Sequence, residues 1–238
     1  MKNTPTASRV AAVDWNEVRR SLDERGWALL PGLVSPPDCR RLGELYTEDR
    51  RFRSTVDMAR HRFGQGQYRY FRYPLPRVVQ SLRTHVYARL APIANDWARA
   101  LGQRVSYPAT LPEFLARCAK AGQRKPTPLL LTYREGGYNC LHRDLYGEVA
   151  FPLQMTVFLS RPGADYAGGA FLLVEQRQRQ QSVGEALLPE QGDAVLFASA
   201  DRPVAGARGF YRAGVRHGVA RITRGARATL GIIFHDAR

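Results

Sequence analysis

Residues 128–160, PLLLTYREGGYNCLHRDLYGEVAFPLQMTVFLS, decide how the rest of the chain is read. They contain two short β-rich runs, 128–134 and 151–160. Glu135-Gly136-Gly137 closes the first and Arg161-Pro162-Gly163 closes the second. Short apolar runs bounded by glycine and proline turns read as strands rather than helices. The rhythm continues through 170–175, 194–198, 216–222 and 228–234, with Gly168-Gly169 and Gln191-Gly192-Asp193 as further turns.

Upstream the period changes. Trp15, Val18 and Leu22 fall at helical spacing behind Asp14, which can cap a helix over 14–25, and Gly26 stops it. Residues 27–30 read as a short strand. Ser35-Pro36-Pro37-Asp38 opens a second helix, with a serine cap and proline in the first turn. Val78, Leu82, Val86, Leu90, Ile93 and Trp97 form a stripe along a long helix over 75–101, and 111–121 reads as another helix. Gly64-Gln65-Gly66-Gln67 interrupts the intervening stretch as a loop or hairpin. Helices followed by many short strands predict an α+β chain, with a double-stranded β-helix (jelly roll) as the likeness that fits best. Residues 1–124 form a mostly helical, arginine-rich elaboration packing on a jelly-roll core over 125–238, the two integrated as one domain.

Composition narrows the class. At 238 residues the chain can bury a proper core, and no apolar run approaches the ~20 residues that span a bilayer. The first fifteen residues lack the apolar centre of a secretory signal and read as a frayed terminus. Cys39, Cys118 and Cys140 make neither a zinc pattern nor a disulfide framework, which points to a reducing cytoplasm. Nothing in the sequence calls for an obligate protein partner or a membrane. The formal charge is +15, and residues 50–89 hold ten arginines against one acid, Asp57. Phe52, Phe63, Tyr68, Tyr70, Phe71, Tyr73 and Tyr87 interleave with them. Arginines neutralise phosphates and aromatic faces stack on exposed bases, so nucleic-acid contact and a solvated basic face over core aromatics are both open readings.

A sparse polar set carries the chemistry: His142-Arg143-Asp144, then His217, then Arg227-Ala228-Thr229. In an extended segment alternate side chains share a face, so His142 and Asp144 can point at one metal while Arg143 points away. With His217 from a later strand they make two imidazoles and a carboxylate, the facial ligand set of non-haem Fe(II) oxygenases. A His-x-Asp alone also arises in ordinary polar turns. The strand-like setting of His217, and an arginine ten residues later, single this one out. Of the other histidines, His61 and His85 lack spaced carboxylates, and His235 beside Asp236 is the competitor, as a decoy or a supporting group.

The pattern closely resembles the 2-oxoglutarate/Fe(II)-dependent dioxygenase superfamily. Within it the closer likeness is to a bacterial oxygenase family described as oxidatively demethylating damaged nucleic acid. The likeness is carried by residues 128–160, by GGAFLLVEQRQRQQS (168–182), by QGDAVLFA (191–198) and by GVRHGVARITRGARATLGIIFHDA (214–237). It implies that His142, Asp144 and His217 hold iron and are the catalytic centre. It implies that Arg227 pairs with the distal carboxylate of 2-oxoglutarate, that Thr229 adds a hydroxyl, and that Tyr133 is either a further partner or a packed strand tyrosine. 2-Oxoglutarate and O₂ would be consumed to give succinate, CO₂ and a hydroxylated C–H bond, and an N-methylated base would release formaldehyde.

The substrate is carried by other residues. A methyl on a base edge is inaccessible inside a duplex, so a methylated DNA or RNA strand must be flipped or single-stranded. Arg69, Tyr70, Phe71, Arg72, Tyr73, Arg177 and Arg179 are the candidates for that contact, and Tyr68, Tyr70, Phe71 or Tyr73 should reach the mouth of the site. The alternative is a hydroxylase of a protein side chain, prolyl-hydroxylase-like, or of a small molecule, since fold does not fix substrate. A metal binder without turnover is the remaining reading.

Overall fold

The computed structural model describes residues 4–144 and 147–238. The N-terminal part contains α1 (Thr6–Ala11), α2 (Trp15–Arg25), β1 (Trp27–Leu30), α3 (Pro36–Glu44), β2 (Phe52–Asp57), β3 (Gly64–Gln65), β4 (Gln67–Phe71), α4 (Arg77–Ala100) and α5 (Leu111–Lys120). Strands then dominate: β5 (Leu129–Arg134), β6 (Tyr138–His142), β7 (Leu153–Phe158), β8 (Tyr166–Gly168), β9 (Phe171–Gln176) and β10 (Val183–Leu187). They are followed by β11 (Ala194–Ala198), β12 (Asp201–Gly206), β13 (Gly209–Val219) and β14 (Ile222–Ile233).

The strands form two antiparallel sheets. The major sheet runs β1-β11-β7-β14-β5-β4-β2, with β8 also on β14, and the minor sheet runs β10-β9-β13-β6-β3, with β12 on β13. This is the expected jelly roll, and the chain is α+β. Capping follows the sequence: the Asp14 carboxylate accepts from the backbone of Asn16 and Glu17, and the Ser35 hydroxyl accepts from Asp38 N. Two expectations change. The segment read as frayed includes α1, whose Val10 is buried in the core where α1 meets α4 (residues 1–3 lie outside the described ones). Within the region expected to be mostly helical, the arginine-rich 50–71 stretch takes the hairpin form that residues 64–67 allowed, β2 with β4, and extends the major sheet through β4–β5 pairing.

Gly66 is the point at which the chain passes between the sheets, from β3 to β4. A Cβ there would sit 2.6 Å from the Tyr133 ring, so only glycine lets the backbone lie against that tyrosine. At the other end Arg83 of α4, wholly buried, donates to the carbonyls of Ile233, Phe234 and His235 and pairs with Asp236 at 2.7 Å. A buried arginine satisfied on several sides fixes the end of β14 against the long helix. β14 is the strand that carries Arg227 and Thr229.

Candidate active site

A cavity of about 460 Å³ lies between the sheets. Strand alternation decides what faces it. Arg227, Thr229, Gly231 and Ile233 on β14 line it, as do Leu129, Leu131 and Tyr133 on β5 and Tyr68 and Tyr70 on β4. The minor sheet contributes His142 from β6 and His217 from β13, and Asp144 follows β6.

His142 and His217 are directly opposed in the β6–β13 ladder, with ring centroids 4.1 Å apart. The Asp144 carboxylate reaches both imidazoles, 3.6 Å from His142 Nε2 and 3.2 Å from His217 Nε2. One ligand atom from each residue falls within 4.8 Å of the others. The His142 Nδ1 lies 2.8 Å from the Cys140 carbonyl and donates to it, leaving the Nε2 lone pair toward the carboxylate. Burial, helped by the neighbouring His217, pulls the His142 pKa down and so favours the neutral imidazole a metal needs. Gly218 sets the spacing. A Cβ at that position would meet the Asn139 carbonyl at 2.7 Å and push β6 off β13.

Arg227 closes the opposite end. It is 1% exposed, and among the described residues none of its three guanidinium nitrogens has a hydrogen-bond partner. The Phe158 and Tyr133 rings lie 5.1 and 5.7 Å from its guanidinium carbon. The Tyr133 and Tyr166 hydroxyls are close enough to favour its charge without forming a hydrogen bond of good geometry. Burial lowers its pKa, but a guanidinium stays charged inside a protein. A buried cation with ring faces and hydroxyls nearby but no carboxylate is costly, and its planar fork of donors matches one. Thr229, two positions along the same face, is 2% exposed. The set therefore fits both groups the sequence called for, a divalent iron on two imidazoles and a carboxylate, and a dicarboxylate on Arg227.

The other candidates separate. Tyr70 lines the cavity, and so does Tyr68, packed edge-on to it with centroids 5.5 Å apart. Phe71 points the other way, is wholly buried and stacks on Phe52 at 4.9 Å, so it cannot touch a nucleic acid. Arg69 also lies on the far face of β4. It donates to the Tyr46 carbonyl, pairs with Asp49 at 2.6 Å and covers the Phe52 ring, so its charge is used inside the protein. Tyr73 is bound to Asp236 and Arg83, away from the cavity. Arg72 is exposed but does not line the cavity. Arg177 pairs with Glu175 at 2.6 Å, and exposed Arg179 sits in the turn between β9 and β10; neither lines the cavity. His235 is buried, accepts from Phe151 N through Nδ1, and stands outside the ligand group.

Sequence reasoning missed two features. Gln154 lines the cavity at 3% exposure with its Nε2 unpartnered among the described residues. Its signal was alternation, since Gln154 and Thr156 interrupt an otherwise apolar strand at a period of two. Arg62 and Phe63 stand at the mouth on the 58–63 turn, where only their place in a basic stretch marked them.

Comparison with known proteins agrees with this geometry. The profile of an oxygenase family described as "catalysing oxidative methylation of damaged DNA" matches residues 66–237. An uncharacterized protein of Mycobacterium tuberculosis, found in strains H37Rv and CDC 1551, is 47% identical over 167 residues, covering 70% of this chain and 72% of the relative. Among solved structures, a Pseudomonas putida prolyl-4-hydroxylase superposes with a TM-score of 0.54 at 15% identity, over 94% of this chain and 99% of that one. A 2OG-Fe(II) oxygenase family oxidoreductase from Burkholderia pseudomallei gives 0.52 at 15% identity, over 95% and 93%. At that identity the likeness is one of fold. The profile match, the relative and the ligand set together place the chain in this oxygenase family, as a non-haem Fe(II) enzyme with 2-oxoglutarate and O₂ as co-substrates.

Proposed function

We propose that the enzyme removes methyl groups from damaged bases in nucleic acid by oxidising them. An oxygenase acts on a methyl group by oxidising its carbon, so the family description reads as oxidative removal rather than addition. The observation that carries the proposal is the placement of Tyr68 and Tyr70, two stacking side chains from the basic hairpin, on the wall of the cavity that holds His142, Asp144 and His217. A basic chain of charge +15 supplies the attraction for a polyanion.

In this reading His142, Asp144 and His217 hold the iron, and Arg227 with Thr229 holds the distal carboxylate of 2-oxoglutarate. Tyr133, buried against Arg227, supports that carboxylate. The bound iron, with its co-substrate, supplies O₂ activation and the oxidising equivalent. The chain's own work is positional. The Cys140 carbonyl keeps His142 in one tautomer, the Gly218 contact fixes the distance between the histidines, and the apolar wall of Leu129, Leu131 and Ile233 excludes water. An N-hydroxymethyl product then loses formaldehyde and leaves the repaired base.

The test is anaerobic loading with Fe(II) and 2-oxoglutarate, then O₂ and a panel of methylated single- and double-stranded oligonucleotides. Formaldehyde release matched to base repair is expected. Succinate formation with no change in any oligonucleotide would overturn the nucleic-acid reading and favour a protein side chain or small molecule.

A further inference from the structure

The turn between β2 and β3 is anchored at its base and exposed at its tip. Met58 is wholly buried, packed in a cluster with Tyr133 and Tyr166, and its carbonyl accepts from the backbones of His61 and Phe63. The turn is also tied to the metal-site strand, for Cys140 N donates to the Phe63 carbonyl at 2.8 Å and Gly64 pairs with Asn139. Arg62 takes a left-handed conformation, φ 59°, which costs a side-chain-bearing residue some strain. Its consequence is to hold Phe63 outward. That ring is 49% exposed, lies stacked with His61 at a centroid distance of 5.4 Å, and lines the same cavity as His142. Leu141 beside it is 40% exposed.

A large apolar ring held in water at the mouth of a cavity is a feature a ligand would cover. The charges around it indicate which ligand. Among the described residues the cavity lining includes Arg62, Arg143 and Arg227 against one carboxylate, Asp144, which belongs to the metal site. Arg62 makes no ion pair among the described residues, whereas Arg143 shares Asp201 at 3.7 Å, so Arg62 is the freer of the two cations at the mouth. Flat apolar surface beside an uncommitted cation matches a base and its phosphate.

We propose that Phe63, backed by His61, is the platform on which the nucleobase neighbouring the target stacks, with Arg62 contacting the adjoining phosphate of a single strand. This rests on the nucleic-acid reading above and adds a subsite to it. The target base passes inward along the wall that Tyr68 and Tyr70 form together, while its neighbour stays on the rim.

The experiment uses the full chain with Fe(II) and 2-oxoglutarate under anaerobic conditions. The probe is a single-stranded 12-mer carrying 2-aminopurine, followed by fluorescence and anisotropy across a salt series. Phe63→Ala should weaken binding roughly 5- to 100-fold and remove much of the 2-aminopurine quenching, while Phe63→Trp retains both. Arg62→Ala should weaken binding across sequences and reduce the salt slope by about one. Unchanged thermal midpoints exclude misfolding as the cause. If the wild type binds and both alanine variants bind equally well, the platform is wrong and the nucleic-acid reading stands. If the wild type binds no oligonucleotide even at about 50 mM salt, the nucleic-acid reading fails and the platform falls with it.

Discussion

The two ends of the cavity are built differently. Arg227, Thr229 and Tyr133 sit on paired strands in regular register, Arg227 opposite Tyr133, and all three are at most 2% exposed. At the other end Arg62 and Phe63 belong to a short turn, and their side chains meet water. Strand register can hold groups to within a fraction of an ångström, which suits a metal and a co-substrate of fixed shape. A turn tethered at its base can be redrawn by a few residues without disturbing the sheets, which suits the part of the site that chooses a substrate. One fold can thus keep its oxidative chemistry while its substrates differ.

The comparison breaks most sharply at the metal site. His142→Ala, Asp144→Ala or His217→Ala should each lower succinate production roughly 10³-fold or more with the fold intact. Retention of full iron-dependent turnover by any of them would undo the assignment. Next comes the core behind the site. Burial holds the His235 pKa down to about 4, against an ordinary value near 6.5. The unfolded chain therefore binds this proton first, so the contribution is complete above about pH 6.5 and is lost as pH falls toward 4, about 3 kcal/mol in all. Urea midpoints at pH 7 and pH 4.5 should differ less in His235→Asn than in the wild type; equal slopes would contradict it.

Arg227→Met should raise the 2-oxoglutarate requirement on the order of 100-fold with little change in iron affinity. It should also raise the thermal midpoint without 2-oxoglutarate, because an unpaired buried charge has gone. Wild type should gain about 2.7 kcal/mol at 100 times its Kd for 2-oxoglutarate, and the variant about 0.4 kcal/mol at the same concentration. At the mouth the smallest effect is expected from Arg72→Ala, less than about twofold on oligonucleotide affinity, since Arg72 does not line the cavity. A loss as large as that of Arg62→Ala would move the nucleic-acid path to the outside of the hairpin.

The strand-borne part of the site was legible in the sequence because strands impose a fixed period on the side chains that face it. His142 with Asp144, and Arg227 with Thr229, stand two positions apart, so spacing put each pair on one face, and the likeness to the oxygenase superfamily joined both pairs to His217. The sequence offered a loop or hairpin at residues 64–67, but the strands on either side were not legible as sheet, because Arg53 and Arg69 mask their alternation with charge. Once folded, Arg53 covers the Tyr70 ring and donates to the Pro126 carbonyl, while Arg69 covers Phe52, so basic side chains do packing work that composition assigns to solvent. β10 and β12 were also missed. The first is almost wholly exposed, and the second contains Arg202 and Pro203, so neither has an apolar face to read. Phe63 stood out from its neighbours only once the turn carried it to the cavity.

Gly218 gives the metal site a further property. The separation of the two histidines is fixed by backbone lying on backbone, where even a methyl group would intrude. The ion is then a guest of a frame that stands without it, unlike a zinc finger, whose fold collapses when a chelator strips the metal. Chelation should silence this enzyme and leave it folded, so that a cell short of iron would keep a reserve of intact protein ready to regain activity when the metal returns.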